Sequence, residues 1–520
     1  MLEDNQLLSR LVARFHIVVA TVVSLIVAAI FGSAAGEGDF FFVYLGLFIG
    51  ALVVVMLQLG NLYWLIVPFS FVCELPAIPM KNRLVELPEI VTATCMAVFL
   101  IRYALKRQTF TLFRIPHVPV QLFTAWAGFI LLLHPVGLAD LGAAAGGLRF
   151  YAKIALALVA FLIVANQNIG EKECRWVMIS IVIGALVSTA KEIVFFYLGI
   201  GTDVSQGIDP DAYYTWHQAI AVPGLAGIML LLSRHRSSEL FSMHRLGTLG
   251  LFLLCVGLIV VSGKRAAVAS IPLLAVTAAV VRKEFGFVVL WIVGAVIASG
   301  IVVVGQGDLF RLPLTAQRAL SILPARWDVE ISSLEGGKDD FRDMLRILAM
   351  EKIQRDPWIG TGYKVDMQMI QGLMNRSTTG STEDQVMPAA LGSSWHNTWL
   401  GYAADFGIPA SILVGVIYLT VTYRSWRTFH ESPSGSATQA MSMYMLLFTV
   451  RDVAFSHTGG HSANDAFARW WLYGLIVALT LTNRQRMLSK PATDVLIGNR
   501  MLTSHSFTSR PARQSISRQR

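Results

Sequence analysis

About fourteen stretches of this chain are apolar for long enough to cross a hydrocarbon core of about 30 Å. They fall near 15–31, 40–58, 61–79, 86–104, 118–137, 149–166, 175–198, 215–232, 246–262, 265–281, 286–303, 395–421, 439–456 and 466–482. Inside lipid each such segment must satisfy its own backbone N–H and C=O groups, so the pattern predicts an all-α, polytopic bundle of transmembrane helices. Composition agrees: 55% of the residues are apolar and 14% charged, which excludes an ordinary soluble protein of this length. The first run follows Arg10 and Arg14 and precedes Ser33-Ala34-Ala35, which could mimic a cleavage site, but it is long for a signal peptide and reads as a retained span. Cys73, Cys95, Cys174 and Cys255 lie in apolar runs or at their ends with no close pair, so neither a disulfide framework nor a zinc site is expected.

The formal net charge of +9 is concentrated in short loops and the tail. It sets orientation and calls for no nucleic-acid partner. Lys106-Arg107 with Arg114, then Arg234, Arg236 and Arg245, then Arg282-Lys283, Arg424 and Arg427, and the tail from Arg484 mark the cytoplasmic side. An even span count then puts both termini in the cytoplasm. The expected organisation is transmembrane helices over 1–304, one large periplasmic loop over 305–394 containing short helices, further transmembrane helices over 395–482, and a disordered basic tail over 483–520. No internal repeat of the inverted-transporter kind is visible.

Within the loop, Phe341, Met344, Leu345, Leu348 and Ile353 recur at helical spacing from Asp340 to Gln354, and Asp356-Pro357 ends the run. Lys338, Arg342 and Arg346, four apart, form a stripe that repels itself unless an anion or acidic side chains answer it; a solvated basic face is the plainer alternative. Trp358-Ile359-Gly360-Thr361-Gly362-Tyr363 reads as a tight turn between two aromatic rings, suited to sugar rings or simply packed. Asn375-Arg376-Ser377 fits a glycosylation sequon by what can easily be chance.

The loop ends in Ser393-Ser394-Trp395-His396-Asn397-Thr398-Trp399, where it enters an apolar run. His396 is expected on the first helical turn, capped by Ser393 or Ser394, where the helix dipole disfavours imidazolium and leaves a base able to accept a proton. Span parity puts Ser262-Gly263-Lys264-Arg265 on the same membrane face. Arg149, Lys153, Lys191-Glu192, Arg451-Asp452 and Arg469 also lie toward that face. Charges inside spans are costly and usually line a cavity, although snorkelling and adjacent ion pairs explain some of them without a ligand. Asp209-Pro210-Asp211 reads as a turn, and Tyr213, Tyr214, Trp216 and His217 as an interfacial anchor. The chain has no phosphate-binding Gly-rich loop, no Ser hydrolase elbow and no His-Glu-x-x-His, so no metal and no cofactor are expected. A neutral histidine facing fixed cations at a lipid surface suits a lipid-linked diphosphate donor: cations stabilise the departing phosphate while the base deprotonates an acceptor hydroxyl.

At these residues the chain resembles the O-antigen ligase and polymerase superfamily. The resemblance rests on His396-Asn397, Leu400, Asp405 and Gly407, with Asp356-Pro357, Gly360 and Gly362 before them and Ser262 with Arg265 at an outer helix start. It covers about 145 to 480. Two departures stand out: Asp405 where a glutamate is usual, and Lys264 where a small residue is common. The resemblance implies a membrane glycosyltransferase (GT-C-like) fold and metal-independent, inverting transfer of undecaprenyl-diphosphate-linked oligosaccharide at the periplasmic face of a bacterial inner membrane. It makes His396 the base or acceptor-orienting residue and Arg265 a diphosphate ligand. Lys264 and Asn397, and more weakly Arg149, Arg342 and Arg346, become candidates for binding phosphates or glycan. The expected partners are the lipid-linked donor, a glycan or lipid acceptor, the bilayer and polysaccharide-assembly proteins. Polymerisation of exopolysaccharide or O-antigen repeat units is favoured over ligation to a lipid A core, since nothing identifies that acceptor. A polysaccharide or lipid transporter, with paired charges near mid-membrane, and a non-catalytic scaffold remain the competing classes.

Overall fold

The computed structural model describes residues 40–73, 78–80, 83–136, 147–198, 219–363, 395–457 and 462–489. The first predicted span, the Asp209-Pro210-Asp211 turn, the aromatic cluster at 213–217, the sequon, and Ser393 and Ser394 lie outside these residues. In chain order the helices are α1 (Phe40–Gln58), α2 (Ile66–Cys73), α3 (Leu87–Ala104), α4 (Val118–Leu133), α5 (Leu148–Ala165), α6 (Glu171–Leu198), α7 (Ala221–Arg234), α8 (Leu246–Val261), α9 (Arg265–Val281) and α10 (Phe285–Gly305). Two helices of the long loop follow, α11 (Leu314–Leu320) and α12 (Val329–Arg355), then α13 (Thr398–Phe406), α14 (Ile408–Glu431), α15 (Ala437–Phe455) and α16 (Ser462–Ser489).

This is a helical membrane protein. Among the described residues six helical segments are long and apolar enough to cross a bilayer: Leu87–Ala104, Ile115–Leu133, Leu148–Ala165, Glu171–Val194, Phe285–Gly305 and Ile408–Glu431. Shorter apolar helices, among them Leu246–Val261 and Arg265–Val281, accompany them. The core is centred on the long pairing of α5 with α16, with α14 packed against both α16 and α15. Gly474 of α16 lies so close to α5 that a Cβ there would stand 2.5 Å from the Phe161 carbonyl oxygen, so only glycine admits this crossing. At the other extreme, α10 buries only Gly305 and exposes Val289, Val296 and Ile301, as a helix surrounded by lipid should.

Four expectations need correction. The run predicted over 395–421 is two helices: Gly407 takes φ +81°, and Pro409 in the first turn of α14 lacks the N–H that would continue α13. The membrane-length helix therefore starts at Ile408. The run predicted over 61–79 is not one helix: α2 covers Ile66–Cys73, and β1 (Ile78–Met80) pairs antiparallel with β2 (Arg83–Val85), Ile78 opposite Val85. Pro79 lacks the N–H that a helix would use there, and this two-stranded pairing is the one departure from an all-α fold among the described residues. The loop helices are not all short, since α12 has 27 residues and begins at Val329, eleven residues before the predicted Asp340. Gly336-Gly337 lowers its local propensity, which is why the periodicity alone starts it late. Finally, α16 continues through residues assigned to the tail, as far as Ser489.

α11 and α12 are joined by a polar clasp. Asp328 accepts from Arg311 Nη2 at 2.8 Å and from Gln317 Nε2 at 3.0 Å. Beyond it, Leu345, Leu348 and Ala349 of α12 close over Trp395 and Ala404, so the loop helix is seated on α13.

Candidate active site

His396 stands at φ +48°, outside the helix and one residue before its N-cap. The cap is Asn397, whose Oδ1 accepts from Leu400 N at 3.1 Å. This replaces the expected serine cap and moves His396 from the first turn to the approach. The reason is local: an Asn in extended conformation (φ −152°) offers its side-chain oxygen to the free N–H groups of the first turn.

The entry of α13 is pinned from two other helices. Thr398 N donates to the Ser456 carbonyl at 2.8 Å and Trp399 Nε1 to Ser456 Oγ at 2.6 Å, at the end of α15. Thr398 Oγ1 donates to Asp465 Oδ2 at 3.0 Å, at the start of α16. Asp465 and Asp452 each lie 3.1 Å from Arg469, and Tyr418 OH donates to Asp452 at 2.7 Å. A chain of charge-assisted contacts thus runs from mid-bundle to the residue two after His396. Arg451 and Asp452 are not the adjacent ion pair that sequence suggests. Asp452 is taken up by Arg469 and Tyr418, and Arg451 instead donates from Nε to Ser270 Oγ on α9 at 3.2 Å. Lys191 and Glu192 do pair, at 2.7 Å. Thr398, Ser456, Asp465 and Tyr418 were missed as site residues; the one available signal was Asp465 four residues before Arg469.

The exit of α13 is locked by the turn that follows α12. Gly362 N donates to the Asp405 carbonyl at 2.8 Å, Thr361 N to that of Ala404 at 3.2 Å, and Ile408 N to that of Pro357 at 2.8 Å. Gly360 (φ +72°) and Gly407 (φ +81°) make this contact possible, because a Cβ on Gly360 would lie 2.5 Å from Gly407 N and one on Gly407 would lie 2.2 Å from the Trp358 oxygen. The Asp405 side chain is fully buried and holds the other end of the same frame. It accepts from Trp395 Nε1 at 3.3 Å, and Lys352 Nζ lies 3.9 Å away and 4.8 Å from the Trp395 ring centre. Tyr363 is buried against Phe150, Tyr151 and Phe406, so for that ring packing is the role; Trp358 is 68% exposed and available to a ligand.

The cations stand at the same end of the bundle. Lys264 is the N-cap and Arg265 the first residue of α9, after Gly263 at φ +72°. The buried Ser262 shapes this turn, donating to the Ile259 carbonyl at 2.6 Å and accepting from Lys264 N at 3.2 Å. Lys264 and Arg451 line a cavity of about 270 Å³ whose other walls are mainly apolar, including Phe71, Leu225, Met229 and Trp471. Residues 250–415 match the family described as O-antigen ligase, a window that opens before the Ser262–Arg265 turn and closes after His396 and Gly407. Over these residues the chain is similar to the O-antigen ligase superfamily. No curated protein matches the chain.

Within the matched residues, Lys264, Arg265, His396 and Asn397 share one end of the helices. Arg342 is half-buried on α12, and Arg346 is exposed and pairs with Asp343 at 2.8 Å. Arg149 precedes the matched residues and lies in an ion cluster. It sits 3.2 Å from Glu89 and 3.4 Å from Glu86, while Lys153 reaches Glu86 and Asn464 at 2.6 Å. Two carboxylates therefore already answer Arg149, an interaction that no local sequence pattern announces across 60 residues. Among the described residues no group of three or more His, Cys, Asp or Glu side chains could hold a metal ion.

Proposed function

We propose that this protein is a metal-independent, inverting glycosyltransferase that moves an undecaprenyl-diphosphate-linked oligosaccharide on the periplasmic side of a bacterial inner membrane, extending a surface polysaccharide. The observation that carries this reading is the placement of a histidine, outside its helix and held by Asn397 and the Thr398–Asp465–Arg469 chain, at the same end as Lys264 and Arg265. The mainly apolar cavity beside Lys264 and Arg451 supports a donor with a lipid tail and an anionic head. In the proposed step the acceptor hydroxyl attacks the anomeric carbon, His396 takes its proton, and the bond from that carbon to the diphosphate oxygen breaks. The new glycosidic bond forms with inversion, and undecaprenyl diphosphate departs while Arg265 and Lys264 offset the charge on its leaving oxygen. Arg342 and Trp358 face the acceptor or glycan in this scheme. Arg149 and Arg346 act through their carboxylate partners.

Ligation to a lipid A core acceptor is the second reading, supported by the O-antigen ligase description of the matching family. The deciding experiment supplies reconstituted protein with lipid-linked repeat units, with and without a lipid acceptor. Chains longer than one repeat mark a polymerase, and transfer only to the lipid acceptor marks a ligase. His396→Ala should abolish either product while the protein remains inserted. Undiminished transfer by that variant would overturn the assignment.

A further inference from the structure

At the far end of the same helices lies a second polar cavity. α3, α5 and α16 begin near the His396 end and run to it. The 18 residues of α5 alone separate the two ends by about 27 Å at 1.5 Å per residue. The cavity has a volume of about 520 Å³ and is lined by Arg102, Lys106, Arg107 and Arg114, with polar side chains from three further segments, 61, 166–168 and 482–485. Its one lining carboxylate, Glu173, accepts from Gly170 N at 2.8 Å in the first turn of α6. Among the described residues no carboxylate forms an ion pair with any of the four cations.

Basic loops are ordinary on one side of a membrane protein, but here the walls are built around a recess. Lys106 closes α3 in the left-handed conformation (φ 55°), with Arg107 N donating back to the Arg102 carbonyl at 2.9 Å, so both cationic residues are set by a tight helix terminus. Arg102 donates to Asn61 Oδ1 and lies 5.2 Å from the centre of the Tyr63 ring. Arg114 donates to Thr111 Oγ1 at 3.0 Å, and Thr111 N to Asn166 Oδ1 at 2.9 Å. Two buried donors in this wall have no acceptor within the protein: Arg102 Nε and Gln108 Nε2, the latter on a side chain whose oxygen already accepts from Tyr63 OH at 2.9 Å. Buried N–H groups without acceptors, inside a recess of uncompensated positive charge, call for an oxyanion with several acceptor oxygens.

We infer that this cavity binds a phosphate group, carried either by an anionic phospholipid head or by a soluble phosphate ester, at a site separate from the transfer centre. The test uses the full-length purified protein in neutral detergent, titrated with inorganic pyrophosphate, with dioctanoyl phosphatidylglycerol, and with dioctanoyl phosphatidylcholine as the zwitterionic reference. Binding is read by native mass spectrometry and by the shift in thermal midpoint. Lys106→Gln/Arg107→Gln alters two exposed side chains and should weaken anion binding about tenfold or more, whereas the charge-preserving Lys106→Arg/Arg107→Lys should retain it. Saturable pyrophosphate binding identifies a soluble phosphate ester, and binding of phosphatidylglycerol alone identifies a lipid head. Equal binding of the glycerol and choline lipids without pyrophosphate binding, no binding of any probe, or equal affinities in wild type and the glutamine variant would overturn the inference. None of these readouts depends on glycosyl transfer, so the site stands or falls apart from the proposed reaction.

Discussion

Replacing Gly360 by alanine should spring the frame that seats His396. An alanine Cβ would stand 2.5 Å from Gly407 N, 2.6 Å from Phe406 N and 2.7 Å from the Asp405 carbonyl carbon, all backbone atoms that no rotamer change can move aside. Holding a non-glycine residue at φ +72° costs about 1–2 kcal/mol. Separating the segments removes the hydrogen bonds to the Asp405, Ala404 and Pro357 carbonyls, together about 2–3 kcal/mol. The expected loss is about 3–5 kcal/mol, compared with about 1–2 kcal/mol for Gly435→Ala, where φ is +76° but nothing lies within 4 Å of the added carbon. The difference of about 2–3 kcal/mol corresponds to an opening equilibrium about 30- to 150-fold larger. Hydrogen exchange of the Gly362 and Ile408 amides reports it directly, and Gly435→Ala should leave those two amides untouched. Wild-type protection at both amides in Gly360→Ala would refute the interlock. A loss confined to the global melting midpoint, equal in the two variants, would show that φ alone matters.

Removing the Asn397 cap by Asn397→Ala should cost about 1 kcal/mol of α13 stability and displace His396, while Asn397→Ser or Asn397→Asp recovers most of it; thermal midpoint and transfer assay check both. Asp452→Asn leaves Arg469 with Asp465 as its one carboxylate in a largely buried setting, so a loss of about 3 kcal/mol is expected in the unfolding midpoint and yield of inserted protein. The hydrogen bond from Arg311 and then that from Gln317 hold the Asp328 carboxyl below its usual value of 3.8. Its contribution to the α11–α12 clasp is therefore complete above pH 3.8 and lost as pH falls through the lower, folded value. Protection of amides in 311–328, measured against their intrinsic exchange rates, should fall on acidification in the wild type and be low at every pH in Asp328→Asn.

Much of this fold was legible because a span is a local property. Length and apolarity placed α3, α5, α8, α9 and α10 within a residue or two of their ends. Gly407 followed by Pro409 announced the break between α13 and α14, yet continuous apolarity outweighed it in the reading of 395–421. The candidate site divides the same way. His396-Asn397 and Lys264-Arg265 stood out as polar groups at span boundaries, and parity alone brought them to one face. What each polar group touches was not legible. Arg149 finds Glu86 and Glu89, Asp405 finds Lys352 and Trp395, and Thr398 finds Asp465 and Ser456, in each case on another element.

By itself, then, the sequence determined a bundle of membrane helices, a long loop carrying a helix, and a histidine at the boundary between them. Each follows from hydrophobicity or charge within a window of about twenty residues. Only the tertiary structure decided that Arg451 and Asp452 serve different neighbours and that Gly360 lies against Gly407. It alone decided that four cations at the far end enclose a recess. Apolar pattern settles that a helix leaves water, but the crossing of particular backbones selects its partners, and a glycine or a charge takes its role from that crossing.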